Sequence, residues 1–268
     1  MVGIARGLSG LLLWGRPSRG VRPALRGGFD PSPCPVVTED SPSTAAPPVR
    51  ALLLDFDGTM LETESSSYGS WRDLLAEHDY ELTHDAWSGA VGTIDGVDPV
   101  VLLEDHLGAP VDRGVLQDRQ AALHREMLTE EVLRPGIQRI VDDARRRGLH
   151  TAIVTSASER WVREHLQRLG LDADWEHIVA ADGDPARAKP APLLYEEALE
   201  LLGVAPAEGV AIEDSPHGVS AAKAAGLAAV AFPNPITERM DLGQADVVVT
   251  DLESLGLDGL LQRLGRTA

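Results

Sequence analysis

The fold of this chain is best predicted from residues 50–59, Arg-Ala-Leu-Leu-Leu-Asp-Phe-Asp-Gly-Thr. Its short apolar run leads directly into an acidic, glycine-containing turn, which is typical of a buried strand entering a loop. Asp55 and Asp57 are two residues apart on extended chain, so their carboxylates lie on one side. Two carboxylates this close repel each other unless a cation lies between them or one of them is protonated. Mg²⁺ is a suitable cation because it prefers carboxylate oxygens as ligands. The alternative interpretation is an ordinary Asp-Gly turn.

Helix and strand patterns alternate along the C-terminal half of the chain. The sequence GIQRIVDDARRRG is typical of an amphipathic helix and HTAIVTS of a buried strand, and similar pairs follow to about residue 250. Strands spaced by helices imply βαβ units and a mostly parallel sheet. Residues 66–133 instead favour successive helices. We therefore predict an α/β fold, with a Rossmann-like core of residues 50–65 and 134–268 and an inserted α-helical cap at 66–133.

The first 49 residues differ from the rest in composition. Residues 1–29 contain five arginines and no acidic residue, and residues 30–49 are rich in proline, serine and threonine. Proline-rich and serine-rich composition of this kind is typical of a linker. We expect residues 1–49 to be a disordered tail or a leader segment, and a transit-peptide-like leader or upstream codons read as protein both stay open.

Overall composition excludes several classes of protein and partner. The chain has 268 residues, of which 43% are hydrophobic and 25% charged, as in ordinary globular proteins. Its formal charge of −18 would repel nucleic acid and anionic lipid, and it lacks the roughly 18 consecutive apolar residues of a membrane-spanning helix. The single cysteine, Cys34, cannot form an internal disulfide. We expect a cytoplasmic monomer that binds neither nucleic acid nor membrane.

Three further sequence elements carry chemistry. In IVTSAS, a strand leads to Ser156 at the start of a helix, where a hydroxyl and free backbone amides can bind an anion. An ordinary helix N-cap has the same sequence pattern. Lys189 in AKPAP is one of only two lysines and could face phosphate, or it could be a solvated surface side chain. The strand GVAIEDS ends in Glu213 and Asp214, which suit a metal; a helix N-cap would explain only one of them.

Together with DFDGT, these elements resemble the haloacid-dehalogenase-like (HAD) superfamily, and most closely its subgroup of β-phosphoglucomutase and small-molecule phosphatases. The resemblance covers about residues 50–250, and all four motifs occur in register. It implies a Mg²⁺-dependent phosphomonoesterase that acts on a small phosphorylated metabolite through an aspartyl-phosphate intermediate. A carboxylate nucleophile agrees with this chemistry because it divides one difficult displacement into two easier ones.

The resemblance also assigns roles to individual residues. It implies that Asp55 is the nucleophile and that Asp57 is the general acid and base. It implies a phosphate-binding set of Thr59, Ser156, Ala157 and Lys189. Asp55, the Asp57 backbone carbonyl and Asp214 would bind Mg²⁺, while Glu213 would ligate the ion directly or through water.

Two departures from the family pattern bear on the reaction. Ser67 follows the hinge where relatives often have a histidine, and Asp95 in Val-Gly-Thr-Ile-Asp occupies the place of the arginine that holds a second phosphate in the mutase. An acid there would repel a bisphosphate, so hydrolysis is favoured over a sugar phosphomutase. If the chain were a non-catalytic binding module, we would expect at least one motif residue to be lost. The sequence retains all of these residues: Asp55, Asp57, Lys189 and Asp214.

The first testable prediction is that the N-terminal segment is dispensable. Residues 1–45 lack the periodic apolar positions that a segment needs to join a core. A chain that starts near Pro47 should therefore keep the thermal midpoint and the activity of the full chain. Differential scanning calorimetry of both chains checks this, and a drop of several degrees on truncation would show that the segment docks.

Overall fold

The computed structural model describes residues 46–87, 97–172, 175 and 177–268. Its strands are β1 (Ala51–Leu54), β2 (His150–Thr155), β3 (His177–Ala180), β4 (Gly209–Glu213), β5 (Ala228–Ala231) and β6 (Val247–Val248). Its α-helices are α1 (Glu64–Ala76), α2 (His84–Trp87), α3 (Pro99–Leu107), α4 (Arg113–Met127), α5 (Ile137–Arg146), α6 (Glu159–Leu169), α7 (Leu193–Leu202), α8 (Pro216–Ala224) and α9 (Leu252–Arg263).

The six strands form one sheet in the order β3-β2-β1-β4-β5-β6, and every pairing is parallel. Strand β1 lies at the centre, where Ala51 is in register with His150 of β2 on one side and with Gly209 of β4 on the other. The predicted α/β class with a parallel sheet is confirmed. The strand order reverses between β1 and β4, and ligands of open α/β sheets bind at the carboxyl ends of strands at such a switch point.

Both faces of the sheet are covered, which explains why β1 is apolar at every position. Leu52 and Leu54 pack into a cluster with α5, α6 and α9, whereas Ala51 and Leu53 pack into a second cluster with α7 and α8. Successive side chains of a strand point to opposite faces, so a strand between two helical layers needs apolar residues throughout.

Helices α1 to α4 lie between β1 and β2 in the chain, where the cap was predicted. They share a separate hydrophobic cluster that includes Tyr68, Trp71, Leu74 and Leu103. The chain segments that flank these helices meet where Leu61 pairs with Leu133 in an antiparallel bridge. The domain boundaries placed at residues 65/66 and 133/134 stay a prediction.

Two earlier expectations concern residues outside the described part of the chain. The first is that residues 1–49 are a disordered tail or a leader, of which residues 1–45 lie outside the described part. The second is the role of Asp95, which also lies outside it. Among the described helices, none has the length and apolarity needed to span a membrane.

Gly136 is the N-cap residue of α5 and packs closely against the first residues of α9. The second prediction concerns this contact. Gly136 has φ +89°, and a Cβ there would lie 2.4 Å from the Glu253 amide nitrogen and 2.5 Å from the Leu252 carbonyl carbon. Because backbone cannot move away as a flexible side chain can, Gly136→Ala should lower the free energy of unfolding by about 2 to 4 kcal/mol. Gly148→Ala is the matched control, since Gly148 has φ +76° with open space around it and should cost about 1 kcal/mol. Equal losses in urea titrations of the two variants would contradict the steric argument.

Candidate active site

Three parallel strands deliver the predicted site residues to one edge of the sheet. Asp55 follows β1 and its amide donates to the Ile212 carbonyl at 3.0 Å, which holds it against β4. At this edge lies a cavity of about 440 Å³. The predicted residues that line it are Asp55, Asp57, Ser156, Ala157, Lys189 and Asp214.

The Lys189 side chain is the central cation of the site. Its ammonium donates to Asp55 Oδ1 at 2.5 Å and to the Val154 carbonyl at 2.8 Å, and it lies 2.6 Å from Glu213 Oε1. Lys189 is only 2% exposed, so the interpretation as a solvated surface lysine is wrong. Burial alone would lower the pKa of Lys189, but Asp55 and Glu213 raise it above its usual value.

Asp55, Glu213 and Asp214 form a buried acidic cluster whose carboxylate oxygens lie within 4.8 Å of one another. Burial raises the pKa of Glu213 to about 7, with Lys189 opposing and Asp55 adding to the rise. Burial and the charge of Asp55 raise the pKa of Asp214 well above its usual value. Lys189 supplies the one ammonium that contacts the cluster among the described residues, so the cluster has to gain protons or a further cation.

The donor set of this cluster fits Mg²⁺. Asp55 Oδ2 and Glu213 Oε2 are buried and have no hydrogen-bond partner, and all the available ligand atoms are oxygens, as a hard cation prefers. Asp214 Oδ2 accepts a hydrogen bond from Asn234 Nδ2 at 2.6 Å, which orients that carboxylate. The Asp57 carboxylate is not part of this cluster.

Asp57 lies on the cavity side of the turn that follows β1. Its Oδ1 accepts a hydrogen bond from Trp161 Nε1 at 2.9 Å. Burial raises the pKa of Asp57 to about 6, while the hydrogen bonds from Trp161 and Thr63 lower it. The turn itself is closed by Gly58, whose amide donates to Thr63 Oγ1 at 3.1 Å. Asp57 is thus a carboxyl group that can exchange a proton near neutral pH.

The loop after β2 forms another part of the cavity wall. Ser156 Oγ accepts from the Lys189 amide at 3.1 Å, so the serine and the lysine loops are joined. The Ala157 amide donates to Thr155 Oγ1 at 3.0 Å and is already engaged. Helix α6 begins directly afterwards, with the Ser158 hydroxyl as its N-cap.

The structure does not bring two of the predicted residues to the cavity wall. Thr59 is fully buried, its hydroxyl has no hydrogen-bond partner, and it is not among the described lining residues. Glu213 is also fully buried and lies behind the wall, where Lys189 and Tyr195 contact it. The phosphate-binding role of Thr59 stays a prediction.

Four residues of the site were not predicted from the sequence to belong to it, although Glu64 is part of the hinge that precedes Ser67. Trp161 binds Asp57, Asn234 binds Asp214, and the Tyr195 hydroxyl donates to Glu213 Oε1 at 2.5 Å. Glu64 lines the cavity, and burial together with the charges of Asp57 and Asp55 raises its pKa to about 8. No local pattern marks these residues, because each is defined by a neighbour that is distant in sequence or by burial.

Helices α2 and α4 contribute an uncharged part of the wall. Trp87 belongs to the hydrophobic cluster of the cap helices, and it also lines the cavity. Its Nε1 and the Nε2 of His124 are buried without a hydrogen-bond partner. Burial lowers the pKa of His124, so Lys189 is the only lining residue with a full positive charge within the described part of the chain.

Comparisons with family models, with individual proteins and with solved structures all relate this chain to one family. The model of the haloacid dehalogenase-like hydrolases matches residues 49–226. The chain is 34% identical over 216 residues to YhcW of Bacillus subtilis, which is named as a phosphatase, covering 81% of this chain and 98% of YhcW. It is 27% identical over 224 residues to β-phosphoglucomutase of the same organism, covering 78% and 93%. The crystal structure of CbbY from Rhodobacter sphaeroides with xylulose-1,5-bisphosphate matches with a TM-score of 0.64 and 26% identity, covering 79% and 99%.

Proposed function

This chain belongs to the family of haloacid dehalogenase-like hydrolases, and from that premise we propose that it is a Mg²⁺-dependent phosphomonoesterase acting on a small phosphorylated metabolite. The observation that carries the proposal is the contact between Asp55 and the buried Lys189 ammonium beside an all-oxygen cluster. The contact places the Lys189 ammonium beside the carboxylate that would act as nucleophile, and a carboxylate nucleophile can attack phosphorus. The relatives named as a phosphatase and a phosphomutase support a phosphorylated substrate.

In the first step Asp55 attacks the phosphorus of the substrate. A new bond forms between an Asp55 oxygen and phosphorus, and the bond from phosphorus to the leaving oxygen breaks. Asp57, protonated at this stage, gives its proton to the leaving oxygen. Lys189 and the Ser156 hydroxyl lie at the cavity wall, where they can bind the oxygens of the transferring phosphoryl group.

In the second step water releases the phosphate. Asp57, now a carboxylate, takes a proton from the attacking water, so the same side chain serves as acid and then as base. The bond between Asp55 and phosphorus breaks, and both side chains return to their starting states. Asp55, Asp214 and the Asp57 carbonyl would hold Mg²⁺, and Glu213 would ligate it directly or through water. When bound, the ion offsets the negative charge of the phosphoryl oxygens.

The third prediction is that activity requires both Mg²⁺ and Asp55. Asp55→Asn keeps the size of the side chain but removes the nucleophile, so phosphate release from p-nitrophenyl phosphate should fall to background. In the wild-type protein, excess EDTA should abolish turnover and added MgCl₂ should restore it. Full activity in EDTA, or in the variant, would overturn this assignment.

A thermal shift separates metal binding from catalysis. MgCl₂ should raise the midpoint of the wild-type protein by mass action, because the ion binds the folded state. Asp214→Asn should remove most of that rise, while Glu253→Gln, a matched change of an exposed acid on α9, should keep it. The size of the shift in Glu213→Gln then distinguishes direct ligation from ligation through water.

The fourth prediction is that the protein hydrolyses phosphate rather than moving it within a sugar. A mutase has to retain a bisphosphate, and a cation must hold the distal phosphate. Of the described lining residues only Lys189 carries a full positive charge, and it already contacts Asp55. The segment at residues 88–96 contains no basic residue but has Asp95. Repulsion between the Asp95 carboxylate and the distal phosphate should favour release of a bisphosphate over its retention.

Incubation with β-glucose 1-phosphate and a trace of the 1,6-bisphosphate tests this prediction. Free phosphate should accumulate faster than glucose 6-phosphate if the sugar is accepted at all, and Asp55→Asn should produce neither. If glucose 6-phosphate accumulates faster, the enzyme is a mutase and a cation outside the described wall holds the second phosphate.

A further inference from the structure

We propose that Trp161 is a positioning residue that orients the Asp57 carboxyl group for proton transfer. The proposal rests on the proposed function of Asp57 as general acid and base. It assigns a role to a side chain that none of the four sequence motifs contains.

The contact that carries the proposal joins two elements that are far apart in the chain. Trp161 Nε1 donates to Asp57 Oδ1 at 2.9 Å across 104 residues of sequence. Both residues line the cavity, so the hydrogen bond lies in the wall where substrate would bind. Trp161 is partly buried and packs against the hydrophobic cluster on one face of the sheet, while its N–H reaches the cavity side to contact Asp57.

The chemistry of the indole determines which Asp57 oxygen can carry the proton. An indole nitrogen can donate a hydrogen bond but cannot accept one. Oδ1 therefore stays an acceptor towards Trp161 in both protonation states, and because a carbonyl oxygen accepts more strongly than a hydroxyl oxygen, this hydrogen bond favours the acid proton on Oδ2. The Thr63 hydroxyl, which also bonds to Asp57, can donate or accept and does not impose such a choice. Trp161 thereby fixes the orientation of the acid.

Neighbouring rings hold the indole in place. The His124 ring of α4 stacks on it with centroids 5.6 Å apart and an interplanar angle of 24°. On the same helix as Trp161, the His165 ring meets it edge-on at 4.3 Å. The Trp161 amide donates to the N-cap Ser158 at 3.2 Å, so backbone and side chain are both restrained. A restrained donor can restrain the carboxylate that it contacts.

The test compares two substrates that need the acid to different extents. An alkyl phosphate such as glycerol phosphate has a poor leaving group and needs protonation, whereas p-nitrophenyl phosphate leaves readily as an anion. Trp161→Phe keeps the ring and removes the N–H donor. We expect kcat/KM for the alkyl phosphate to fall by about 10- to 100-fold, and for the aryl phosphate by less than about threefold.

The ratio of the two kcat/KM values makes the test independent of folding yield, because both values scale with the amount of folded enzyme. Trp175→Phe is the matched control, since Trp175 packs in the core beneath Arg145 and should leave the ratio unchanged. Should Trp161→Phe fold too poorly to assay, Trp161→Met removes the same donor with a flexible apolar side chain. An unchanged ratio in the variant that folds would overturn the proposal.

A double-mutant comparison separates this inference from the proposed function. Asp57→Asn should itself lower the ratio, and adding Trp161→Phe to it should lower the ratio no further. If Asp57→Asn leaves the ratio unchanged, the general-acid role of Asp57 fails. If Asp57→Asn lowers it but Trp161→Phe does not, only the positioning role fails. If the two effects multiply, Trp161 acts by another route and the proposal is overturned.

Discussion

The buried contact of the Lys189 ammonium with Asp55 and Glu213 is the interaction on which the rest of the site depends. Parallel pairing of β1 and β4 brings acidic residues from both strands to one edge, where burial makes their charges costly. One ammonium offsets part of that cost and ties the loop before α7 to the end of β1. The remaining negative charge is what makes the edge suitable for a divalent cation.

The sheet and the cap helices contribute different things to the cavity. The end of the sheet provides charge, since Asp55, Lys189 and Asp214 all belong to it. Helices α2 and α4 provide an uncharged wall with Trp87 and His124, whose free nitrogens can bind polar groups of a substrate. The charged groups and the uncharged wall of the cavity therefore come from separate parts of the chain.

The sequence predicted the fold class well because its signals are local. Apolar runs of strand length separated by amphipathic helices specify a parallel sheet without reference to distant residues. The motif residues Asp55, Ser156, Lys189 and Asp214 could be brought to one edge by the same logic, because carboxyl ends of parallel strands share an edge. Helix α9 was not predicted, since Gly256 interrupts its pattern with a non-helical backbone conformation.

By itself, therefore, the sequence determined the α/β class, the order of the elements and the residue types that meet at the carboxyl edge of the sheet. Only the tertiary structure decided that Thr59 is buried and is not among the residues that line the cavity, and that Tyr195 and Trp161 contact acidic residues. The physical reason is that a hydrogen-bond partner is chosen by distance and direction in space. Trp161 and Asp57 lie 104 residues apart, and the packing of α6 against the turn after β1 decides that they meet.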